Sequence, residues 1–356
     1  MTKVSVTNKK IAMDKYTNIT HLEKGSFVTC FTALDENRQK VVLTVSDNQR
    51  EIQSRMSMST KLAKVRGVQR YQRYEQLDIS DCVLEELNEL YPGVFSKTSG
   101  VLVGEFYETS FNSHVKALNV GEKINLFNEL LAIVSQIHAN GVFHMDLKPS
   151  NIMIHHGAPV IIDFGQSVCE LEVESVLNTS AYSPRHDVYA CSVISEKFDV
   201  YCLGNILHDM LVQVPLTTSL VQDSRQYKQL QESVGNLAAN LIYGMTTREQ
   251  EQRYPISLAL EHPLFTDYQL PKLERENSLK IFIDIHSKTS NDSPQEQFKS
   301  VLQINQLISQ DFSYADFSRA YINPFDTRAS LHDSSGNQII SAVHSCYISV
   351  EDSLDL

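Results

Sequence analysis

The chain has 356 residues, 42% hydrophobic and 21% charged, the balance of an ordinary globular protein with room for two lobes or domains. A formal net charge of −12 argues against nucleic acid or an anionic membrane as the principal partner. No run approaches about 18 uninterrupted apolar residues and no apolar leader opens the chain, so neither a membrane span nor a signal peptide is expected. Residues 1–16 read as a polar, basic lead-in. From Thr17 the pattern is of short strands, Ile19 to Leu22, Val28 to Leu34 and Lys40 to Val45, with a turn at Asp35-Glu36-Asn37. Two helices are expected next, over 48–66 and over 79–90, where Val83, Leu84, Leu87 and Leu90 share a face and Tyr91-Pro92-Gly93 is the stop. The basic run from Lys61 to Arg73 is simplest as a solvated face, with a docking patch as the alternative. Val101 to Phe106 reads as a buried strand.

The clearest helix follows. Ile124, Phe127, Leu130, Leu131, Val134 and Ile137 form one stripe, and Asn140-Gly141 ends it. Ile152-Met153-Ile154 and Val160-Ile161-Ile162 then flank a turn at Gly157, a hairpin that brings Asn151 and Asp163 to the same end of two strands. Residues 197–265 are helical in pattern. Beyond 271 the texture changes, with a polar break at Ser287–Ser293, a helix-like stretch Gln297–Ile308, a hairpin-like turn Ser334–Asn337 and an acidic end. Cys30, Cys82, Cys169, Cys191, Cys202 and Cys346 show no paired C-x-x-C spacing, which suits free thiols in a reducing cytoplasm.

The chemistry is concentrated in His144-Met145-Asp146-Leu147-Lys148-Pro149-Ser150-Asn151 and Ile162-Asp163-Phe164-Gly165. Phosphoryl transfer leaves a protein little covalent work. It needs a carboxylate to orient the attacking hydroxyl and oxygen ligands for Mg²⁺ on the triphosphate. Asp146 fits the first role, Asn151 and Asp163 the second, and Lys148 can neutralise charge on the moving group. Two such motifs in order are far more specific than either alone.

These segments resemble the catalytic loop and metal-binding segment of the eukaryotic-type Ser/Thr protein kinases. The resemblance covers roughly residues 17–268 and implies an α+β, bilobal fold, with a β-rich small lobe over 17–104, an α-helical lobe over 108–268 and a C-terminal extension over 269–356. Further motifs carry it. Asp199-Val200-Tyr201-Cys202-Leu203-Gly204 is similar to the helix start whose buried aspartate holds the catalytic loop. Gln252-Arg253 to His262-Pro263-Leu264-Phe265 resembles the closing helix, and Thr179 to Pro184 the end of an activation segment. The resemblance implies ATP and Mg²⁺ as cofactors and a protein substrate, docked through 61–73 or 269–356. It places the nucleotide against Lys24, Gly25, Ser26, Phe27, Val42, Thr44, Gly104, Glu105, Tyr107 and Met153.

Several positions depart from the family pattern. Only Gly25 remains of a G-x-G-x-x-G loop. Val41-Val42-Leu43-Thr44 puts a threonine where the phosphate-gripping lysine belongs, and Lys24 is the expected stand-in, ahead of Lys40. Its glutamate partner has three candidates: Glu51, which sits too early on the first helix, or Glu85 or Glu86 on the second. Met145 replaces an arginine that clamps phosphorylated activation segments. Arg185 replaces the glutamate that pairs with Arg253, leaving Asp187 or Glu196 as substitutes. Gly104 at the gatekeeper position predicts an adenine pocket open at its back. Three functions stay open on this reading. They are an atypical Ser/Thr protein kinase, a pseudokinase acting as a binding module, and a kinase-fold enzyme with another ATP-dependent transfer, such as AMP transfer or phosphorylation of a small molecule.

Overall fold

In the computed structural model the residues described are 16–76 (26 excepted), 84–85, 88–89, 91–169, 181–184, 195–216, 219–220, 224–287, 331–332 and 338–340. The second predicted helix, over 79–90, lies mostly outside them. Contacts divide the chain into two compact units, Met1–Thr217 and Thr218–Leu356.

In the first unit, β1 (Thr17–Lys24), β2 (Thr29–Leu34), β3 (Lys40–Ser46), β4 (Tyr71–Gln76) and β5 (Gly100–Glu105) form one antiparallel sheet in the order β1-β2-β3-β5-β4. Strand alternation sorts its side chains. Phe31, Ala33, Val41, Leu43, Val45, Val101 and Val103 turn to one face and bury themselves with Tyr16, Val94 and Phe95. Cys30 and Thr44, paired across β2 and β3, turn to the other. Helix α1 (Gln49–Lys61) packs against β3, β4 and β5. Asn48 caps it, its side chain accepting from the backbone N–H of Arg50 and Glu51. The helix stops at Lys61, short of the predicted 66, because the chain turns through Leu62–Val65 and crosses Gly67 at φ 74°. Its buried residues are Ile52, Arg55 and Met58. A charged side chain therefore sits on the helix's buried stripe.

After β5 come β6 (Thr109–Ser110), α2 (Phe111–Val115) and α3 (Val120–Ala139). Asn119 and Glu122 close a capping box on α3, and the whole predicted stripe from Ile124 to Ile137 is buried. Strands β7 (Ile152–His155) and β8 (Ala158–Ile161) pair antiparallel around His156 and Gly157, both at positive φ as a tight hairpin turn requires. Helix α4 (Glu196–Val212) completes this unit's regular structure among the described residues.

The second unit holds α5 (Arg225–Val234), α6 (Asn236–Thr246), α7 (Ile256–Leu260), α8 (Leu264–Asp267) and α9 (Lys272–Ser287). Its β9 (Leu331–His332) and β10 (Gln338–Ile340) pair antiparallel, and the turn predicted at 334–337 lies outside the described residues. The guanidinium of Arg253 is buried on backbone carbonyls, donating to Thr247 O at 2.7 Å and Arg248 O at 3.0 Å. Arg185 and Asp187 lie outside the described residues. Helix α9 packs on α6, where Asn236 Nδ2 donates to Glu276 Oε1 at 3.5 Å, and its Phe282 ring meets those of Tyr254, His262 and His286. The first part of the C-terminal extension thus packs on 236–262.

His262 is locked neutral there. Its Nδ1 accepts from Leu264 N–H at 3.1 Å, so the proton sits on Nε2, facing Asn240 Oδ1 at 3.1 Å. Burial, with a smaller push from His286, lowers its pKa from 6.5 to about 3. The unfolded chain then takes up a proton below about pH 6.5 that the folded chain refuses, so the stabilisation is present above pH 6.5 and lost as pH falls. Melting temperature should drop on acidification from pH 7 to 4. His262→Gln should melt lower at pH 7 but with a shallower fall, and parallel curves would count against a neutral, buried His262.

Candidate active site

The site is built around one buried carboxylate. Asp199, in the first turn of α4, has no solvent exposure. Its Oδ2 accepts from His144 N–H at 2.7 Å and faces His138 Nε2 at 2.9 Å, and its Oδ1 accepts from Met145 N–H at 2.8 Å. Burial raises its pKa, but the bond from His138 and the neighbouring imidazoles and amides outweigh this and hold it below the ordinary value. Met145 carries φ 66°, a conformation a non-glycine residue keeps only where its surroundings impose it. The two amide bonds to Asp199 impose it here. Met145 is itself buried.

That turn fixes the residues that follow. His144 Nδ1 accepts from Asp146 N–H at 3.3 Å, so its Nε2–H donates to Ile162 O at 3.0 Å and ties the loop to the end of β8. Asp146 Oδ2 accepts from Lys148 Nζ at 2.7 Å and Asn151 Nδ2 at 3.0 Å, and Asn151 Nδ2 also reaches Asp146 O at 2.8 Å. Asp146, Lys148 and Asn151 are therefore one hydrogen-bonded set. Asn151 precedes β7; its Nδ2 is the donor in both bonds, and its Oδ1 is the amide atom suited to a cation. Ile162 N–H bonds to Asn151 O at 2.9 Å, so the hairpin brings Asn151 and Asp163 to the same strand ends.

Asp163 stands at φ 63°, ψ 72°, a second strained non-glycine residue. Its N–H donates to Gln69 Oε1 at 3.0 Å, and the same oxygen accepts from the Tyr71 hydroxyl at 3.3 Å. Its Oδ1 accepts from Arg55 Nη1 at 2.5 Å, while Arg55 Nε donates to Glu51 Oε1 at 2.8 Å, one helical turn earlier. Burial raises the Asp163 pKa, but the charge and hydrogen bond of Arg55 outweigh it and hold it below the usual carboxylate range. Burial likewise opposes the charge on Arg55, and Asp163, Tyr71 and Glu51 keep it protonated. The sequence reading missed Arg55. Its signal was present: Ile52, Arg55, Met58 and Leu62 fall on one helical face, which makes the arginine the odd member of an apolar stripe.

The family described as protein kinase domain matches residues 16–265, more than half of the chain. The chain belongs to the protein kinase family. It is 26% identical over 201 residues to a probable serine/threonine-protein kinase, irlA, of Dictyostelium discoideum, covering 52% of this chain and 14% of that protein. It is 23% identical over 209 residues to serine/threonine-protein kinase PrkC of Bacillus subtilis, covering 54% of this chain and 31% of the other. It is 24% identical over 286 residues to serine/threonine-protein kinase D of Synechocystis, covering 74% of this chain and 55% of that one. The chain thus spans from about a seventh to about half of these relatives' lengths.

The fold is the bilobal kinase fold, its antiparallel sheet lobe followed by a helical lobe. On the sheet side, Thr44 is buried and its hydroxyl lies 3.7 Å from Cys30 Sγ. Lys24, at the end of edge strand β1, donates to Pro92 O at 3.2 Å. Lys40 lies with its ammonium 3.8 Å from the centre of the Phe106 ring. Gly25 bonds to Val28 O through its N–H, Phe27 is 49% exposed, and Ser26 lies outside the described residues. Val42 pairs with Gly104 across β3 and β5, Glu105 is exposed with its carboxylate 3.5 Å from His155 Nε2, and Tyr107 is buried against the His155 ring. Met153, on β7, is half-buried. The expectation of a pocket open behind Gly104 is corrected. A Cβ on Gly104 would come within 3.5 Å of the Tyr71 ring, so strand β4 supplies the bulk that Gly104 lacks.

A magnesium-bound triphosphate fits this donor set. Asp163 keeps a second carboxylate oxygen beyond the one Arg55 engages, and its side chain is 42% exposed. Mg²⁺ asks for one or two such side-chain oxygens, the phosphates and water completing its octahedron. Among the described residues no group of three or more His, Cys, Asp or Glu forms a protein-only metal cage.

Replacing Asp199 by Ala strands the two loop amides and the buried His138, at about 3–5 kcal/mol of stability for a broken buried pair. Denaturant unfolding should show that loss, with faster amide exchange at His144 and Met145. Unchanged exchange would mean the loop is held by something else.

Proposed function

We propose that this kinase domain, occupying 17–268, transfers the γ-phosphate of ATP to serine or threonine hydroxyls of a protein substrate. The observation that carries the reading is the joined set Asp146–Lys148–Asn151 beside Asp163. In it Asp146 receives the incoming hydroxyl's hydrogen bond and accepts its proton as the oxygen attacks. Lys148, already on that carboxylate, balances charge on the phosphoryl oxygens. Asn151 and Asp163 hold Mg²⁺, which neutralises phosphate charge when bound. Gly25, Ser26, Phe27, Val42, Thr44, Gly104, Glu105, Tyr107 and Met153 line the nucleotide's place.

No helix among the described residues is long and apolar enough to cross a membrane. With the acidic net charge and unpaired cysteine spacing, this supports a cytoplasmic role on protein rather than nucleic acid. Lys61, Lys64, Arg66 and Arg70 are exposed, which supports 61–73 as a docking face, with 269–356 as the other candidate. One observation favours the pseudokinase reading: Arg55 already occupies part of the Asp163 carboxylate, so a metal has to share it.

Incubation with γ-labelled and α-labelled ATP separates phosphate transfer from AMP transfer and from binding alone. Asp146→Asn should cut γ-transfer by about 10²–10⁴-fold with nucleotide binding nearly unchanged. Asp163→Asn should weaken Mg²⁺-dependent binding itself. Wild-type turnover in both variants would remove the catalytic reading of the loop.

A further inference from the structure

Arg55 is the feature that the activity leaves unexplained. Its side chain is 7% exposed, on the packed stripe of α1, where an apolar residue would cost nothing to bury. A guanidinium so placed is sustained by anions, and it has two: Glu51 Oε1 at 2.8 Å and Asp163 Oδ1 at 2.5 Å. The backbone makes room for it. A Cβ on Gly165 would stand 2.8 Å from Arg55 Cζ and 2.9 Å from Glu51 Oε1, closer than real contacts allow. A larger residue at 165 would have to displace the guanidinium, so the glycine beside Asp163 gives the fork its room. The lysines near the sheet are otherwise engaged, Lys24 on Pro92 O and Lys40 over Phe106, while Thr44 brings no charge.

The donors count the same way. A guanidinium has five N–H groups in a fixed fork. Two go to the carboxylates through Nε and Nη1 and a third meets the Tyr71 hydroxyl, leaving two for further acceptors. Those donors lie beside a carboxylate that the proposed function gives to Mg²⁺. A phosphate bound to that metal is the anion that would complete the site.

We propose that Arg55 is the phosphate-binding cation of this site, supplied by helix α1 in place of a lysine at position 44. Glu51 and Asp163 hold the fork, and the nucleotide's phosphate oxygens take its remaining N–H groups. This rests on the nucleotide-site reading given above, and deepens it. The consequence is a coupling: the helix, the metal-ligand segment and the phosphates meet on one side chain.

The test is binding, not turnover, on the full chain. Dissociation constants for Mg·ATP and for adenosine, which has no phosphate, are measured by calorimetry. Arg55→Ala should raise the Mg·ATP constant about 10–100-fold, the range for hydrogen bonds to a charged group, and leave adenosine within about twofold. Adding Thr44→Lys to Arg55→Ala should recover part of the ATP affinity. Equal losses for ATP and adenosine would mean that Arg55 only props the helix, and unchanged ATP affinity would also overturn the proposal. Should Arg55→Ala fail to fold, Gly165→Ala keeps every charge and displaces the guanidinium, so it must show the same ATP-selective loss. A Gly165→Ala protein that binds ATP like wild type overturns the assignment. A wild type that binds neither compound overturns the nucleotide site, and the proposal with it. Binding without γ-transfer would overturn only the transferase reading.

Discussion

A carboxylate sealed from water has to be surrounded by donors, and the way Asp199 meets that demand organises everything around it. Its two oxygens take two backbone amides from the loop and a ring nitrogen from α3. Helix α4 contributes the acid, α3 contributes His138, and the loop contributes the strained Met145 turn. Helix α3, the loop just after it and the start of α4, 55 residues beyond His144, are thus fixed by one charge. The strain at Met145 persists because relaxing it would strip a buried anion of a bond, a larger loss than the strain itself. Asp146 inherits its position from that turn, directly through His144 and the chain. The site's precision is a consequence of burial.

A second junction, at Asp163, joins the sheet lobe to the same loop. Its amide is held by Gln69 and its carboxylate by Arg55, while the preceding Ile162 carbonyl accepts from His144. Residues 67–69 add backbone bonds, Ile161 N–H to Gly67 O and Gln69 N–H to Ile161 O, so they run beside the end of β8. Helix α1 cannot shift away from Asp163 without leaving a desolvated guanidinium with one partner fewer. The orientation of the carboxylate and the position of the helix are therefore linked variables. The glycine at 165 is part of that linkage, since any larger residue would occupy the volume of the fork.

Much of this was legible in the sequence, and the reasons differ from element to element. Helix α3 and the β7–β8 hairpin announced themselves because their burial is one-sided or complete and their stops are chemical, Asn140-Gly141 and His156-Gly157. The catalytic loop and the Asp163 segment were readable as motifs, and Asp199 as the residue holding them. Strand β4 was not, because Tyr-Gln-Arg-Tyr-Glu-Gln at a sheet edge alternates half-buried and exposed residues with little apolar content. Missing β4 also hid Tyr71, and so the filled space behind Gly104. Arg55 escaped for another reason. The family pattern pairs a strand lysine with a helix glutamate, whereas the structure keeps the positive charge on the helix and puts its glutamate one turn earlier.

Why an arginine suits that place follows from desolvation. Burial disfavours the charged form of any base, and a lysine ammonium, whose pKa starts near 10.4, yields readily when its surroundings are apolar. A guanidinium starts above about 12 and stays protonated even where burial is severe. On a strand beside an open cleft either residue could keep its charge. On the packed face of α1, with Ile52 and Met58 as neighbours on the stripe, only the guanidinium is assured of it. The planar fork adds what a point charge lacks, since it can face two carboxylates at fixed angles and still present donors elsewhere. A cation moved from strand to helix is thus served by arginine in place of lysine, a nearby acid on the same helix, and a small residue opposite that leaves the fork its room. Arg55, Glu51 and Gly165 are those three residues.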